Sequence, residues 1–381
     1  MVLLIRGQGD NAMTIRDVRG RAAMRLALRY DMRSPSIGAP AAELYAASIE
    51  QCAWADALGF ETVYLAEHHG ADDGYCPSPI VQGTAIAART ERMVVHFSAL
   101  IAVLHDPIRL AEDLAILDII SNGRIALTLG LGYRPHEYLM FGVDKKRRVR
   151  ILEETIAVLK QAWTGEPFEY RGMSVVIRPT PVQPNGPPLY IGGSSEASAL
   201  RAARLGDGYV PATDGLYEIY ADERGRLGLD VPPPPPRHGP LFLFVTDDPA
   251  RAWNEVGPHV LYTTNSNAEW AKERGVGSTP YPPAQSVDDL KSSDAFAVVT
   301  PDQCVDLAVT LGDDAELWFQ PLMGGLSPEI GWSSLELFAK AVLPRLQARG
   351  LRPDPPNGRT VETPAGEPDT SSQPVGPIGE T

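Results

Sequence analysis

The chain has 381 residues, of which 44% are hydrophobic and 22% charged, and it carries a formal net charge of −14. That length allows one large barrel or two medium domains with a substantial core, and the composition is that of an ordinary globular protein. The negative balance excludes general nucleic-acid binding and attraction to an anionic membrane surface, so any phosphate on a ligand must be held locally.

Cys52, Cys76 and Cys304 show no CxxC spacing and fit free thiols in a reducing compartment. The apolar run Met1–Ile5 is too short for a signal-peptide core, and no stretch approaches the ~18 apolar residues of a transmembrane helix. The expectation is a cytoplasmic protein without a membrane span. Residues 1–23 carry no clear period and read as a flexible leader, with Met24 an alternative start.

Regular structure begins with the alternating pattern Met24–Tyr30, a strand. Leu44, Ala47, Trp54 and Leu58 recur at helical spacing, and Gly59 ends that helix before the strand Thr62–Ala66. A helix over Ser78–Arg89 leads to the apolar strand Met93–Ala102. Asp106-Pro107, a cap with proline at the first helical position, opens a helix that stops at Asn122-Gly123. Arg124–Leu129 is a fourth strand, and Ile151, Thr155, Val158 and Ala162 mark one face of the helix that follows. Phe168–Ile177 reads as an inserted hairpin turning at Arg171-Gly172. Leu189–Ile191, Gly208–Val210, Leu241–Val245 and Leu317–Gln320 supply four more strands, with a helix at Glu196–Leu205. A last helix buries Leu335, Phe338, Val342 and Leu346.

Eight strands alternating with helices predict an α/β fold, a (β/α)8 TIM barrel with insertions over residues 24–350. A doubly wound sheet is the structural alternative, but no G-x-G-x-x-G turn follows the first strand. Within residues 212–292 the proline run Pro232–Pro236 and mixed polar segments predict a long excursion, a lid over the barrel mouth. Residues 351–381, rich in Pro, Gly, Thr and Ser, read as a disordered tail.

Four strand exits carry candidate chemistry. Glu67-His68-His69 leaves the second strand, where barrels keep their functional groups, and adjacent residues there point apart. Divergence argues against a metal, as does the lack of HExxH or HxH spacing, so no metal site is expected. An acid–base pair and a structural buttress both fit. Gly192-Gly193-Ser194-Ser195 lies between a strand and a helix start, a place for a phosphate or for a plain serine cap. Gly130-Leu131-Gly132-Tyr133-Arg134 leaves room for a large planar ligand beside a ring and a charge, and a tight loop fits equally. Phe97-Ser98-Ala99-Leu100 has small residues suited to a flat ring, or to core packing.

In this order along the chain, these segments resemble the luciferase-like monooxygenases, flavin-dependent oxidoreductases related to the bacterial luciferase α subunit. The similarity runs from Met24 to Arg349. It includes Gly59–His69, Asp106-Pro107-Ile108-Arg109 with Glu112-Asp113, Ser121-Asn122-Gly123-Arg124, Gly130–Gly142, and Gly192–Gly208 with its closing Ala202–Gly208.

The resemblance implies reduced FMN at the carboxyl ends of the strands. It would react with O2 to a C4a-hydroperoxide that oxidises a small organic substrate, with a separate flavin reductase supplying the cofactor. It assigns the catalytic role to His68 and a structural one to His69. Cofactor contacts would come from Glu67, Ser98, Ala99, Leu131, Tyr133, Arg134, Gly192, Gly193, Ser194, Ser195 and Ser198, with a non-proline cis peptide at Ser98-Ala99. Tyr30 and Phe97 could line the substrate side, and a homodimer is the family's default. One departure stands out. Many relatives have a phosphate-binding arginine where this chain has Leu131, so Arg134 or Arg147 would have to replace it. That leaves open 8-hydroxy-5-deazaflavin, which would make the enzyme a dehydrogenase or reductase, and a non-catalytic flavin-binding barrel is a third reading.

Overall fold

The computed structural model describes residues 23–273, 281 and 283–353. Apart from Ala23 and residues 351–353, the expected leader and tail lie outside the described residues.

The strands are β1 (Arg25–Tyr30), β2 (Thr62–Leu65), β3 (Val94–Leu100), β4 (Ile125–Leu129), β5 (Phe168–Tyr170), β6 (Met173–Val175), β7 (Leu189–Gly193), β8 (Gly208–Pro211), β9 (Phe242–Val245), β10 (Phe296–Val299) and β11 (Glu316–Phe319). The helices that matter below are α1 (Ala41–Ala57), α2 (Pro79–Arg89), α3 (Pro107–Ser121), α4 (Pro135–Met140), α5 (Arg148–Ala162), α6 (Glu196–Leu205), α7 (Leu216–Arg226) and α8 (Pro249–Glu273).

Seven strands form one curled parallel sheet in the order β11-β1-β2-β3-β4-β7-β8, and β9 and β10 form a separate parallel pair. The chain entering β9 is tied to β11, since Gly239 N–H donates to the Glu316 carbonyl and Glu316 N–H to the Arg237 carbonyl, both at 2.9 Å. Among the described residues no ladder joins β8 to β9 or β10, so the hydrogen-bonded sheet is a partial barrel where eight strands in a closed ring were expected. The strand missing from the sequence reading is β10: Phe296-Ala297-Val298-Val299 is short, and only its pairing with β9 distinguishes it from a buried loop.

The region read as an excursion is largely regular, holding α7, β9 and the 25-residue α8 in its described part. Residues 274–280 and 282 lie outside the described set. The hairpin forms as expected: Arg171 and Gly172 at its tip have φ of 50° and 77°, matching the twist of a two-residue turn.

Period-two alternation divides each strand between two environments. Leu28, Val63, Val95 and Ile125 stand in register across β1 to β4 and are buried at 2% exposure or less. Their neighbours one residue on, Arg29, Tyr64 and His96, share the opposite, inner face. That face is polar. Tyr64 Oη and Trp318 Nε1 both donate to Glu316 Oε2, at 3.0 and 2.5 Å, and His96 Nε2 lies 2.8 Å from Thr128 Oγ1. Burial pushes the His96 imidazole down to about 4, so it is neutral.

Candidate active site at the carboxyl ends of the strands

The chain leaving β2 does not turn away at once. Glu67 N–H donates to the Ala99 carbonyl at 3.2 Å, holding the exit of β2 against the exit of β3, and His68 N–H then donates to the Cys76 carbonyl at 3.1 Å. This extended path throws Glu67, His68 and His69 to alternate sides.

Glu67 is buried, and its carboxylate accepts three hydrogen bonds: from Ile101 N–H at 2.6 Å, His105 Nε2 at 2.7 Å and His69 Nε2 at 2.9 Å. Burial alone would raise its pKa, but the bonds from His105 and His69 reverse that and bring it down to about 2. His105, despite its own burial, is held above the usual imidazole range by Glu67. Glu67 is thus the staple between two strand exits. His69 serves that staple and packs its ring against Phe141 at 4.6 Å.

His68 points the other way. Its Nδ1 lies 2.8 Å from Glu137 Oε1, and because a carboxylate only accepts, the imidazole carries its proton on Nδ1. That leaves Nε2 as an acceptor, 3.4 Å from the Tyr133 hydroxyl. Tyr75, Tyr133 and Trp270 surround the ring at centroid distances of 4.9, 5.4 and 4.8 Å. Burial pushes the imidazole below its usual range; Glu137 pulls it upward, and Arg33 and Arg134 push it further down. His68 is therefore a neutral base near pH 7 whose Nε2 is the accepting nitrogen. Glu137 is fully buried and also accepts from His69 N–H at 3.0 Å, so one carboxylate fixes both the backbone and the ring.

The Ser98–Ala99 peptide is cis. Around it stand Ala99 near the end of β3, Gly130 just beyond β4 and Gly192-Gly193 at the end of β7, residues with little or no side chain. A Cβ added at Gly130 would come within 3.2 Å of Ala99 Cβ, and one at Gly192 within 3.0 Å of Thr128 Cγ2. The neighbouring strands approach too closely there for larger residues, which keeps this edge of the sheet bare.

The serine loop is more committed than its sequence suggests. Ser195 caps α6 and forms a reciprocal capping box with Ser198. Ser198 is buried, and its hydroxyl also lies 3.0 Å from Tyr209 Oη. A Cβ at Gly193 would collide with Ser198 at 2.3 Å, so the glycine is needed for the turn itself. What remains for an anion is the N-terminus of α6 with the Ser194 hydroxyl. Leu131 packs against the core, and its carbonyl accepts from Tyr138 Oη. Arg134 is buried beside His68: Nη1 donates to the His69 carbonyl at 3.1 Å and lies 3.8 Å from Glu137. It is therefore engaged on the histidine side. Tyr30, expected on the substrate side, instead donates through its hydroxyl to Gln51 of α1 at 2.9 Å, and Phe97 lies against Gly83 of α2. Both face the helical layer.

Several site residues escape sequence reading. Asp31 and Arg33 leave β1 as Glu67 and His68 leave β2, so the same strand-exit rule points to them. Glu137 sits at the third position of α4, where an acidic residue ordinarily reads as a helix-start charge. Trp270 comes from the far end of α8, and nothing local marks it. Among the described residues no group of three His, Cys, Asp or Glu could hold a metal ion, and no helix is long and apolar enough to cross a membrane.

A curled parallel sheet carries at its carboxyl edge a bare glycine strip and a neutral histidine fixed by a buried carboxylate, the candidate active site of an α/β fold. The chain belongs to the luciferase-like monooxygenase family, whose model matches residues 31–315. Among its relatives, the oxygenase component of flavin-dependent trigonelline monooxygenase from Acinetobacter baylyi is 29% identical over 175 residues, 44% of this chain and 48% of that protein. F420-dependent glucose-6-phosphate dehydrogenase from Microbacterium testaceum is 27% identical over 179 residues, 44% of this chain and 53% of that one. The match thus spans about half the length of each. In fold, the chain is similar to the monooxygenase RslO1 from Streptomyces bottropensis, with a TM-score of 0.65 and 23% identity over 84% of this chain and 99% of that one.

Proposed function

We propose that this protein is a flavin-dependent monooxygenase in which reduced FMN and O2 oxidise a small organic substrate beside His68. The observation that carries this reading is the His68–Glu137 pair: a neutral imidazole whose accepting Nε2 meets the Tyr133 hydroxyl inside an aromatic shell. Reduced flavin, when bound, supplies the electrons for oxygen activation. Ala99, Gly130 and Gly192 would floor the ring, and Ser194 with the N-terminus of α6 would meet its phosphate. His68 holds or accepts a proton at Nε2, while Tyr75, Tyr133 and Trp270 keep water from it.

In this reading the curled sheet is a (β/α)8 barrel, the protein is cytoplasmic, and a separate reductase supplies the flavin. It is a homodimer through α2 and α3, which expose Val81, Ile116 and Ile120 at 71%, 44% and 43%. The test is turnover under 18O2 with reduced FMN supplied by an independent reductase: one labelled oxygen should enter the product. His68→Ala should cut turnover at least about a hundredfold, the usual worth of a positioned acid–base group. His69→Ala should act mainly through stability. Equal catalytic losses from the two changes would remove the assignment of His68.

Leu131 favours a second reading, hydride transfer by a deazaflavin, because the phosphate-binding arginine of many relatives is missing. Leu131→Arg should tighten FMN binding about tenfold or more, the effect of a charge-assisted hydrogen bond to phosphate. Titration of FMN fluorescence against the apoprotein reads this directly. No gain for FMN in the variant, together with tight deazaflavin binding by the wild type and oxygen-independent turnover, would establish the second reading in place of the first.

A further inference from the structure

One buried arginine near His68 has no part in the proposed mechanism. Arg33, at the exit of β1, is fully buried. Its Nη1 donates to Asp73, and its backbone N–H donates to Asp31 Oδ1 at 3.0 Å. The other edge of the guanidinium is unsatisfied: neither Nε nor Nη2 has a hydrogen-bond partner. Asp31 Oδ2 stands 3.9 Å from Nε, outside hydrogen-bond range. These two N–H groups form one edge of the planar fork, the edge that grips an oxygen acceptor side-on. Leaving charged donors buried and unmade is costly, so an edge kept in that condition points to a ligand that completes it.

Its surroundings say where that ligand would lie. The Arg33 guanidinium stacks on Trp270 at 4.2 Å and on Tyr75 at 4.8 Å, the same two rings that flank His68. Arg134 lies against Trp270 at an equal 4.2 Å. Two cations cannot share one face of an indole at that distance, so the ring is sandwiched between them. Arg134 Nε is likewise buried without a hydrogen-bond partner. Trp270 thus fills the space between two guanidiniums at the side of the presumed base.

The shape of the free edge suits a carboxylate, but the charge balance does not. Asp31, Asp73, Glu137 and Glu273 face the cluster, against Arg29, Arg33 and Arg134. An incoming anion would be brought against Asp31 and Asp73, the two carboxyl groups that already flank the guanidinium. A neutral acceptor avoids that repulsion and still receives both N–H groups. We propose that Arg33 is a specificity-determining residue that binds a carbonyl oxygen of a neutral, ring-bearing organic substrate, whose ring packs among the aromatic side chains beside His68. The assignment deepens the monooxygenase reading by naming its substrate class, and rests on that reading for the site being the substrate's.

Three matched probes test it on the full-length apoprotein, without flavin: acetophenone, benzoate and ethylbenzene, followed by calorimetry and tryptophan fluorescence. Acetophenone should bind at least about tenfold more tightly than ethylbenzene, the worth of a hydrogen bond to a charged donor. Benzoate should bind more weakly than acetophenone. Arg33→Lys keeps the charge between Asp31 and Asp73, and so the fold, but lacks the planar edge; it should abolish the preference for acetophenone over ethylbenzene. The proposal is overturned if ethylbenzene binds as well as acetophenone, if benzoate binds best, if no probe binds, or if Arg33→Lys leaves the ratio unchanged. Because the measurement uses neither flavin nor oxygen, it is independent of the 18O2 experiment, and either can fail alone.

Discussion

Glu67→Ala is expected to lower the melting temperature by roughly 6 °C, because it removes the acceptor shared by Ile101 N–H, His69 and His105. Breaking a buried charged network by deleting one partner costs about 3–5 kcal/mol, and a domain of this size shifts by about 1.5 °C per kcal/mol. The pH dependence follows from the same contacts. The Glu67 carboxyl moves from 4.5 to about 2 on folding, a stabilisation on the order of 3 kcal/mol. A depressed carboxyl pKa gives stability that is complete above the unfolded value and is lost as pH falls through the folded one. His105 acts in the opposite sense. Its raised pKa gives stability that is complete below about 6.5 and is lost as pH rises through the folded value. Thermal melts from pH 3 to 9, followed by circular dichroism, should therefore show the network weakening at both ends. Glu67→Gln should remove much of the acid limb and His105→Asn the alkaline one. A Glu67→Ala protein melting within about 1 °C of wild type would rule out the staple, since that shift is worth less than about 1 kcal/mol here.

What could be read from sequence was what a few neighbouring residues decide. The alternation of Met24–Tyr30 and the apolar run at Met93–Ala102 reflect strands with one face in the helical layer, and burial leaves a period that can be seen. Asp106-Pro107 marked the start of α3 because capping is local: Asp106 Oδ1 accepts from Ile108 N–H at 3.0 Å. β10 was not legible, since four apolar residues become a strand only through a partner some fifty residues earlier. The site divides the same way. The strand exit at Glu67-His68-His69 could be found from its position alone. Which histidine faces inward depends on Glu137, 69 residues from His68, and on Trp270, brought in by α8. Ser195 and Ser198 show the converse: a serine-rich helix start read as a phosphate loop has its hydroxyls engaged in the capping box. Residue type announced an oxygen acceptor or donor in each case, and only the tertiary partner showed whether it was already used.

Glu137 is where that dependence carries the largest functional effect. Its Oε1 holds the Nδ1 proton of His68, so Nε2 is the nitrogen presented to the pocket. Glu137→Ala would release both the tautomer and the ring, and turnover in the oxygen-dependent reaction should fall at least about a hundredfold. If the two residues act as one unit, the His68→Ala/Glu137→Ala double variant should be no slower than His68→Ala alone; losses that multiply would show two independent roles. Nitrogen-15 NMR of labelled histidine supplies a readout that simple destabilisation does not move. The wild type should report a proton fixed on Nδ1, and Glu137→Ala a mixture of tautomers in a protein that remains folded. The conservative Glu137→Gln change fixes the sign of the pH effect. His68 acts as the neutral base, so activity is lost as pH falls through its pKa. Glu137 is the contact that pulls that pKa upward against burial. Without its charge the pKa drops further, and the acid limb of the pH–rate profile should move to lower pH even as the maximal rate declines. A limb that stays in place would mean that the group titrating in the profile is not His68, and would send the search for the base to Tyr133 and its neighbours in the same shell.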